Sequence, residues 1–317
     1  MLNRRHLRIK ALQILYAFYQ TENAEFHKSE AQLMKSLDKM YDLYLYFLLI
    51  FEELHDFAAY RIDERKEKTR ATEEDLNPNT KFIDNKFIDF LKINEELRGK
   101  SETHKIDWRT AEKNNLIKKL FYSIVESEVY QDYMVAEENS FEADFNFITE
   151  LFKTEIANFG LLHDFFEDDN VYWIDDIDLV CSMVLKTFRT FTEESNQYTP
   201  ILPLYKDEVD EKDFVKTLTR RVVANDEENN QIIDKLTKNW DLERIAKMDV
   251  ILLKMALTEL VEFPSIPKNV TLNEYIEISK FYSSPQSKVF INGVLDKAIT
   301  NLEKEGKIKK AGRGLLK

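Results

Sequence analysis

The chain has 317 residues, of which 44% are hydrophobic, with six glycines, six prolines, a single cysteine and a formal net charge of −13. That composition holds enough apolar material for one large domain or two ordinary ones, too few turn formers for a fold of hairpins, and no basis for a disulfide framework. The expected class is all-α in a reducing cytoplasm, with no secretory segment and no membrane span, because the most apolar run, Met40 to Phe51, is short and contains Asp42.

The charge is unevenly distributed. Residues 1–20 carry four basic side chains and no acid, and residues 212–317 carry 19 basic against 15 acidic, so the two ends hold +8 and residues 21–211 hold −21. An acidic middle repels phosphate, whereas the basic N-terminus and the tail of Lys307, Lys309, Lys310, Arg313 and Lys317 can meet it.

In chain order, Asn3 is a good N-cap, and Leu7, Ala11, Ile14, Leu15 and Phe18 recur at helical spacing to form one buried stripe. The opposite face carries Arg5, Ile9, Gln13 and Tyr16, with Arg4 and Arg8 beside the first turn. Such a face combines phosphate contacts, a two-sided amide and a stacking plane, the groups that single-stranded RNA recognition uses. A few solvated arginines at a chain start are the plainer reading.

A long helical region follows, with apolar runs near Leu33–Ala59, Leu116–Tyr133, Phe141–Phe159 and Ile174–Phe191, closed by Pro200 and Pro203. Asp144-Phe145 through Trp173 to Lys186 echoes Asp213-Phe214 through Trp240 to Lys254 at nearly equal spacing, either a partial duplication or two chance amphipathic hairpins. Trp240 to Phe263 is apolar on nearly every face, which marks a helix surrounded by others and ended by Pro264 and Pro267. Within it Asp249 needs a partner, which an internal salt bridge to Arg244 or Lys254 would supply.

The next helix is expected to start at Thr271, with Glu274 completing a capping box and Val270 stapling against Tyr275. The last starts at Ser284 with Pro285 in its first turn, and it runs through Asn292-Gly293 because Ile291, Val294, Leu295, Ala298 and Leu302 keep helical spacing. A glycine there costs about 1 kcal/mol against alanine, so close approach by another backbone or a ligand is expected to offset it. By spacing alone Phe290, at the margin of that stripe, is a core ring.

No catalytic constellation stands out: there is no glycine-rich phosphate loop, no Gly-x-Ser-x-Gly, no Cys-x-x-Cys, and the five histidines lack metal-ligand spacing. Asp168-Asp169 and Asp175-Asp176 read as solvated acid on a helix surface. No enzyme activity, cofactor, metal or small-molecule substrate is expected.

Three segments carry a family resemblance: Arg4-Arg5-His6-Leu7-Arg8 followed by Gln13-Ile14-Leu15-Tyr16; Glu243 to Leu260; and Asn273-Glu274 with Phe290-Ile-Asn-Gly-Val-Leu-Asp-Lys297. Together they resemble the NusB family of transcription antitermination factors, over about residues 1–20 and 207–303. The resemblance implies an all-α NusB-like RNA-binding bundle from residues 1–20 and 205–317, with residues 21–204 an acidic helical insertion. It further implies binding of boxA-type RNA together with NusE, a small-subunit ribosomal protein, within an RNA polymerase antitermination complex on ribosomal RNA genes. The RNA-binding residues it implies are Arg4, Arg5, Arg8, Gln13, Tyr16, Gln286, Lys288 and Phe290, and the partner-facing residue is Asp249. Relatives commonly have Gly-x-Glu-Asp-Ser-His where Ser283 to Lys288 stand, so Gln286 replaces an acid. Two rival readings remain. A helical domain related to RNA cytosine methyltransferases would need a glycine-rich cofactor loop and a Pro-Cys nucleophile motif, neither of which is present. A purely protein-binding scaffold would place the two basic termini on opposite sides of the fold.

Overall fold

The computed structural model describes residues 2–237 and 245–315. Among them every regular element is helical. In chain order these are α1 (Arg4–Gln20), α2 (Phe26–Lys66), α3 to α10 between Glu73 and Phe188, α11 (Glu208–Ala224), α12 (Asp226–Leu236), α13 (Lys247–Glu262), α14 (Lys268–Tyr282) and α15 (Ser287–Lys304). No helix among the described residues is long and apolar enough to cross a membrane. The chain divides into two compact units, Met1–Ser36 with Tyr205–Lys317, and Leu37–Leu204.

In the first unit α13 is the central element, buried without interruption from Ile251 to Leu260 and contacted by α1, α11, α12, α14 and α15. A helix with neighbours on all sides needs apolar residues on all sides, and the sequence from Met248 to Leu260 supplies them. The helix ends at Glu262, before Pro264. Trp240 and Arg244 lie outside the described residues, and with them one arm of the internal echo and one expected partner of Asp249.

Helix α1 starts as its sequence predicts. The Asn3 side chain accepts from the His6 backbone N–H at 3.1 Å, and the His6 ring accepts in return from the Asn3 N–H at 3.2 Å. Its burial is wider than one stripe, because Arg8, Lys10 and Leu12 are enclosed along with Leu7, Ala11, Ile14 and Leu15.

Helix α14 starts earlier than expected. It opens at Lys268 behind Pro267, and Thr271 sits inside it with its hydroxyl donated to Glu259 at 2.8 Å instead of to a cap. Val270 is exposed while Tyr275 is fully buried, so the expected staple does not form. In α15 the helix proper begins at Ser287, with Ser284 and Pro285 in the turn before it. Gly293 lies within α15, but a methyl group added there would meet nothing within 4 Å, so no close approach by the described residues explains it.

The second unit is organised around the middle of α2, from Leu37 to Leu54, whose aromatic side chains meet an interlocking set of rings. Phe47 packs on Phe152 and Phe166, Phe51 on Phe152 and Phe188, and Tyr46 on Trp108 and Trp173. Polar atoms of these rings are satisfied inside the core: Trp108 Nε1 donates to the Tyr46 carbonyl at 3.2 Å, Trp173 Nε1 to the Lys39 carbonyl at 2.6 Å, and the Tyr44 hydroxyl pairs with Thr187 at 2.7 Å. Two expected continuous runs are broken, one by the Ser127 cap between helices Ala111–Glu126 and Glu128–Val135, the other by a π-helical turn at Phe152–Ile156.

The C-terminal segment returns to the end of α13. The Ala311 N–H donates to the Pro264 carbonyl at 3.0 Å, Lys310 Nζ to the Phe263 carbonyl at 3.0 Å, and a short turn, Gly312–Leu315, follows. Gly314 is required there, since a Cβ at that position would stand 1.9 Å from the Pro264 oxygen. Gly314→Ala should therefore lift the tail. The expected result is faster tryptic cleavage after Lys310 and Arg313 with a thermal midpoint close to that of the wild type, and unchanged cleavage would show that the turn is not held by this contact.

Candidate nucleic-acid interface

The Asn3 cap sets three arginines in the first two turns of α1, and each meets a different acid. Arg4 donates to Asp210 at 2.8 Å from α1 to α11. Arg5 forms two parallel bonds with Glu274 of α14, both 2.8 Å. Arg8 forms two bonds of 2.7 Å with Glu259 of α13 and lies 3.7 Å from Glu274. The fork of a guanidinium matches a carboxylate bidentately, which fixes orientation as well as charge.

Burial separates the roles of the three. Arg4 and Arg5 keep 34% and 43% of their side-chain surface, whereas Arg8 keeps 2% and Glu259 none. Burial opposes a charge on Arg8, yet the hydrogen bond and the negative charge of Glu259 keep its pKa above the ordinary arginine value. Glu259 also accepts from Thr271 at 2.8 Å and from the Tyr275 hydroxyl at 3.1 Å, so the carboxylate has four donors. Burial likewise pushes the Glu274 carboxyl up, but the Arg5 hydrogen bond and the charges of Arg8 and Arg5 outweigh it and leave its pKa below the ordinary value.

Arg4, Arg5, Arg8, Asp210 and Glu274 line a groove of about 890 Å³ shared with Asn3, Ser265, Ile266, Pro267 and Val270. Its far wall includes Arg313, brought in by the docked C-terminal turn and without an ion pair among the described residues. The two basic ends of the sequence thus meet in one place. The rim is cationic, with Arg4, Arg5 and Arg313 half or fully exposed, and the acids between them are already engaged. Such a surface can take an anionic backbone by exchanging carboxylate for phosphate at Arg4 and Arg5 while Arg313 contributes an uncommitted charge.

Arg8 is therefore corrected from an RNA contact to an internal strut: its guanidinium is enclosed and both of its bonding edges are committed. Phe290 is likewise buried, at 7% exposure, among the α15 core residues Ile291 and Val294, so its ring is not presented to a base. Asp249 is 4% exposed, with one oxygen accepting from Ser283 at 2.5 Å and the other from Ser287 at 2.7 Å. It ties the α14–α15 connection to α13 and makes no salt bridge to Lys254, which instead donates to Asp226 at 2.7 Å. Gln13 is half-buried on α1 and Tyr16 is 39% exposed further along it, while Gln286 and Lys288 are exposed at the start of α15. Arg313 was legible only as one charge of a basic tail, and nothing in the sequence placed it beside Arg4 and Arg5.

Residues 178–300 match the model of the NusB family. The chain is 44% identical over 105 residues to a "Transcription antitermination protein NusB" of Salinibacter ruber, covering 33% of this chain and 66% of that one. Proteins of the same name from Chloroherpeton thalassium and Geotalea daltonii are 36% and 42% identical over 105 and 89 residues, covering 33% and 28% of this chain and 50% and 61% of theirs. The chain thus spans half to just under two thirds of these curated relatives. No solved structure matches it. Asp210, Asp249, Glu259, Glu274 and Phe290 fall within the family match, whereas Arg4, Arg5, Arg8 and Arg313 lie outside it.

Arg8→Ala should cost about 3–5 kcal/mol of folding free energy, because it strands a buried carboxylate, and denaturant midpoints will show it. Phe290→Ala should cost a similar ~3–5 kcal/mol and leave RNA affinity normal among molecules that remain folded. Since the pKa of Glu274 is depressed on folding, its contribution is complete above its ordinary value of 4.5 and is lost as the pH falls through the folded value. Glu274→Gln should accordingly flatten the acid limb of stability against pH below about 5, and an unchanged limb would remove Arg5–Glu274 as a source of stability.

Proposed function

Starting from a NusB family domain at residues 178–300, we propose that this protein is a transcription antitermination factor that binds boxA-type single-stranded RNA together with NusE in the cytoplasm and supports transcription of ribosomal RNA by RNA polymerase. It acts by binding, not by catalysis. The relatives it matches are named for antitermination. The observation that carries the RNA contact is the convergence of Arg4 and Arg5 from the N-terminus with Arg313 from the C-terminus on one groove. A purely protein-binding scaffold was the reading that required these termini to lie apart.

Electrostatics favours the same groove. The segment 21–211 carries −21 and repels a polyanion, so phosphate contacts are confined to the basic ends. Arg4 and Arg5 hold the sugar–phosphate backbone. Their carboxylate partners in the free protein keep the guanidiniums oriented, and the bound phosphates replace those partners one for one. Gln13 and Tyr16 on α1, with Gln286 and Lys288 at the start of α15, supply polar and stacking contacts to bases.

The test is a titration of single-stranded boxA-type RNA at several salt concentrations, with and without NusE. Replacing Arg4, Arg5 and Arg313 together by Ala should flatten the slope of log K against log salt by up to ~0.7 for each phosphate no longer neutralised. NusE should tighten binding by the wild type. An unchanged slope at unchanged affinity would remove the groove from the RNA path.

A further inference from the structure

In the second unit, α6 (Ala111–Glu126) and α9 (Gly160–Asp169) line a groove of about 470 Å³. The core face of α9 is made by Leu162 and Phe166, both fully buried. A second apolar stripe runs beside it. Leu161 and Phe165, four residues apart, share a face with Asp168 and Asp169 in the next turn, and that face lines the groove. Glu112 and Leu116, also four residues apart, line it from α6. A helix packed only on its own core turns polar residues to solvent, yet Leu161 is 45% exposed and Phe165 is half-buried. The Phe165 ring is held in place, 6.0 Å from the Nζ of Lys113, which donates to the Tyr46 hydroxyl at 2.8 Å and to the Asp107 carbonyl at 2.7 Å.

The charge of the lining is unbalanced. Glu112, Asp168 and Asp169 form no ion pair among the described residues, and Lys119 is the one cation beside them in the groove. Two of these acids also stand where their own helix opposes them. Glu167, Asp168 and Asp169 close α9, whose last turn has no basic residue, and the free carbonyls at a helix C-terminus already carry partial negative charge. A cation brought from outside would stabilise that end. The groove thus combines an apolar surface with acids that lack a counterion.

We propose that this groove docks a cationic amphipathic helix of a protein partner. Apolar side chains of the partner at i, i+3 or i+4 and i+7 would meet Leu116, Leu161 and Phe165, and its flanking Lys or Arg side chains would pair with Glu112, Asp168 and Asp169. Charge complementarity selects this occupant. A polyanion is repelled by the rim, and a purely apolar segment leaves the acids unpaired. The ten residues of α9 span about 15 Å, enough for two to three turns of a docked helix. Every residue involved lies in the second unit, so the proposal stands independently of the RNA-binding reading.

The experiment titrates the full chain into a fluorescein-labelled synthetic peptide of about 15 residues, long enough to hold a helix, with Leu at helical spacing flanked by Lys. The wild type should bind it saturably at one site, more weakly as salt rises. A peptide of the same composition with the Leu spacing scrambled should bind at least about fivefold more weakly, and one with Glu in place of Lys should not bind. Replacing Glu112→Gln, Asp168→Asn and Asp169→Asn together should weaken binding by about 3- to 100-fold, as three surface ion pairs would, and remove most of its salt dependence. The thermal midpoint of that variant should be unchanged or raised, because repulsion at the end of α9 is relieved. Leu161→Ser should weaken binding at least about fivefold with the fold intact, and Lys119→Gln should tighten it. Equal binding of the ordered and scrambled peptides would overturn the proposal in favour of simple attraction of polycations. Wild-type affinity in both the triple variant and Leu161→Ser would place the peptide elsewhere and overturn it as well. Self-association of the chain in sedimentation, abolished by Leu161→Ser and by the peptide, would overturn it in favour of a second copy as the occupant. No binding of the peptide at low salt would remove the groove as a docking site.

Discussion

The buried pair of Arg8 and Glu259 joins three helices at one point, and the arrangement of the first unit follows from it. Two charges out of water are tolerated only where geometry and additional donors compensate for lost hydration. Both conditions are met here. The bonds are bidentate at 2.7 Å, Thr271 and Tyr275 supply two further donors to the carboxylate, and the Arg8 guanidinium lies 5.4 Å from the Phe214 ring centre and 5.9 Å from that of Tyr275. Because Arg8 comes from α1, Glu259 from α13, and Thr271 and Tyr275 from α14, no one of these helices can shift without unpairing a buried group. One arginine is thereby withdrawn from solvent so that the two before it, Arg4 and Arg5, stand at fixed positions on the rim.

The same device is repeated at smaller scale elsewhere in the unit. Asp249 takes a hydroxyl from each end of the α14–α15 connection, which holds the chain reversal and determines which side chains of the corner face outward. Lys254 is enclosed between the Tyr19 ring, 4.6 Å from its centre, and Asp226, which also accepts from the Tyr19 hydroxyl at 2.6 Å. Buried polar groups that are fully paired specify one packing arrangement, since any other leaves them unsatisfied. A binding surface made from the ends of several helices needs that specificity, because a shift of one helix would separate Arg313 from Arg4 and Arg5.

The second unit is held by different means. Its core is dominated by aromatic rings in edge and tilted contact, with indole groups bonded to backbone carbonyls, and the aspartates it does bury, such as Asp42 and Asp144, are hydrogen-bonded within it. Apolar rings provide this unit with much buried area per residue. Its negative surface is consistent with exclusion of nucleic acid and leaves phosphate recognition to the basic ends of the chain.

Local chemistry was legible in the sequence wherever the deciding partner was nearby. The Asn3 cap, the all-round burial of the helix that became α13, the persistence of α15 through Gly293 and the burial of the Met40–Phe51 run all depend on spacing within one helix, and spacing is visible in one dimension. The uneven division of charge also identified the two basic ends. What failed were choices made by distant residues. Thr271 looks like a cap until Glu259 lies beside it, and Arg8 looks like a third surface arginine until α13 and α14 close over it. Asp249 looks like an ion-pair or interface acid until the two serines of a later turn reach it. For Phe290 the helical spacing pointed to the core, where the ring lies, and it was the family resemblance that pointed to the surface. The sequence by itself determined which segments are helical and where positive charge is concentrated, because those follow from composition and periodicity. Only the tertiary structure decided which charges are spent inside and which remain for a ligand, because a charge is stabilised by whatever lies within a few ångströms of it, and those neighbours come from helices far apart in the chain.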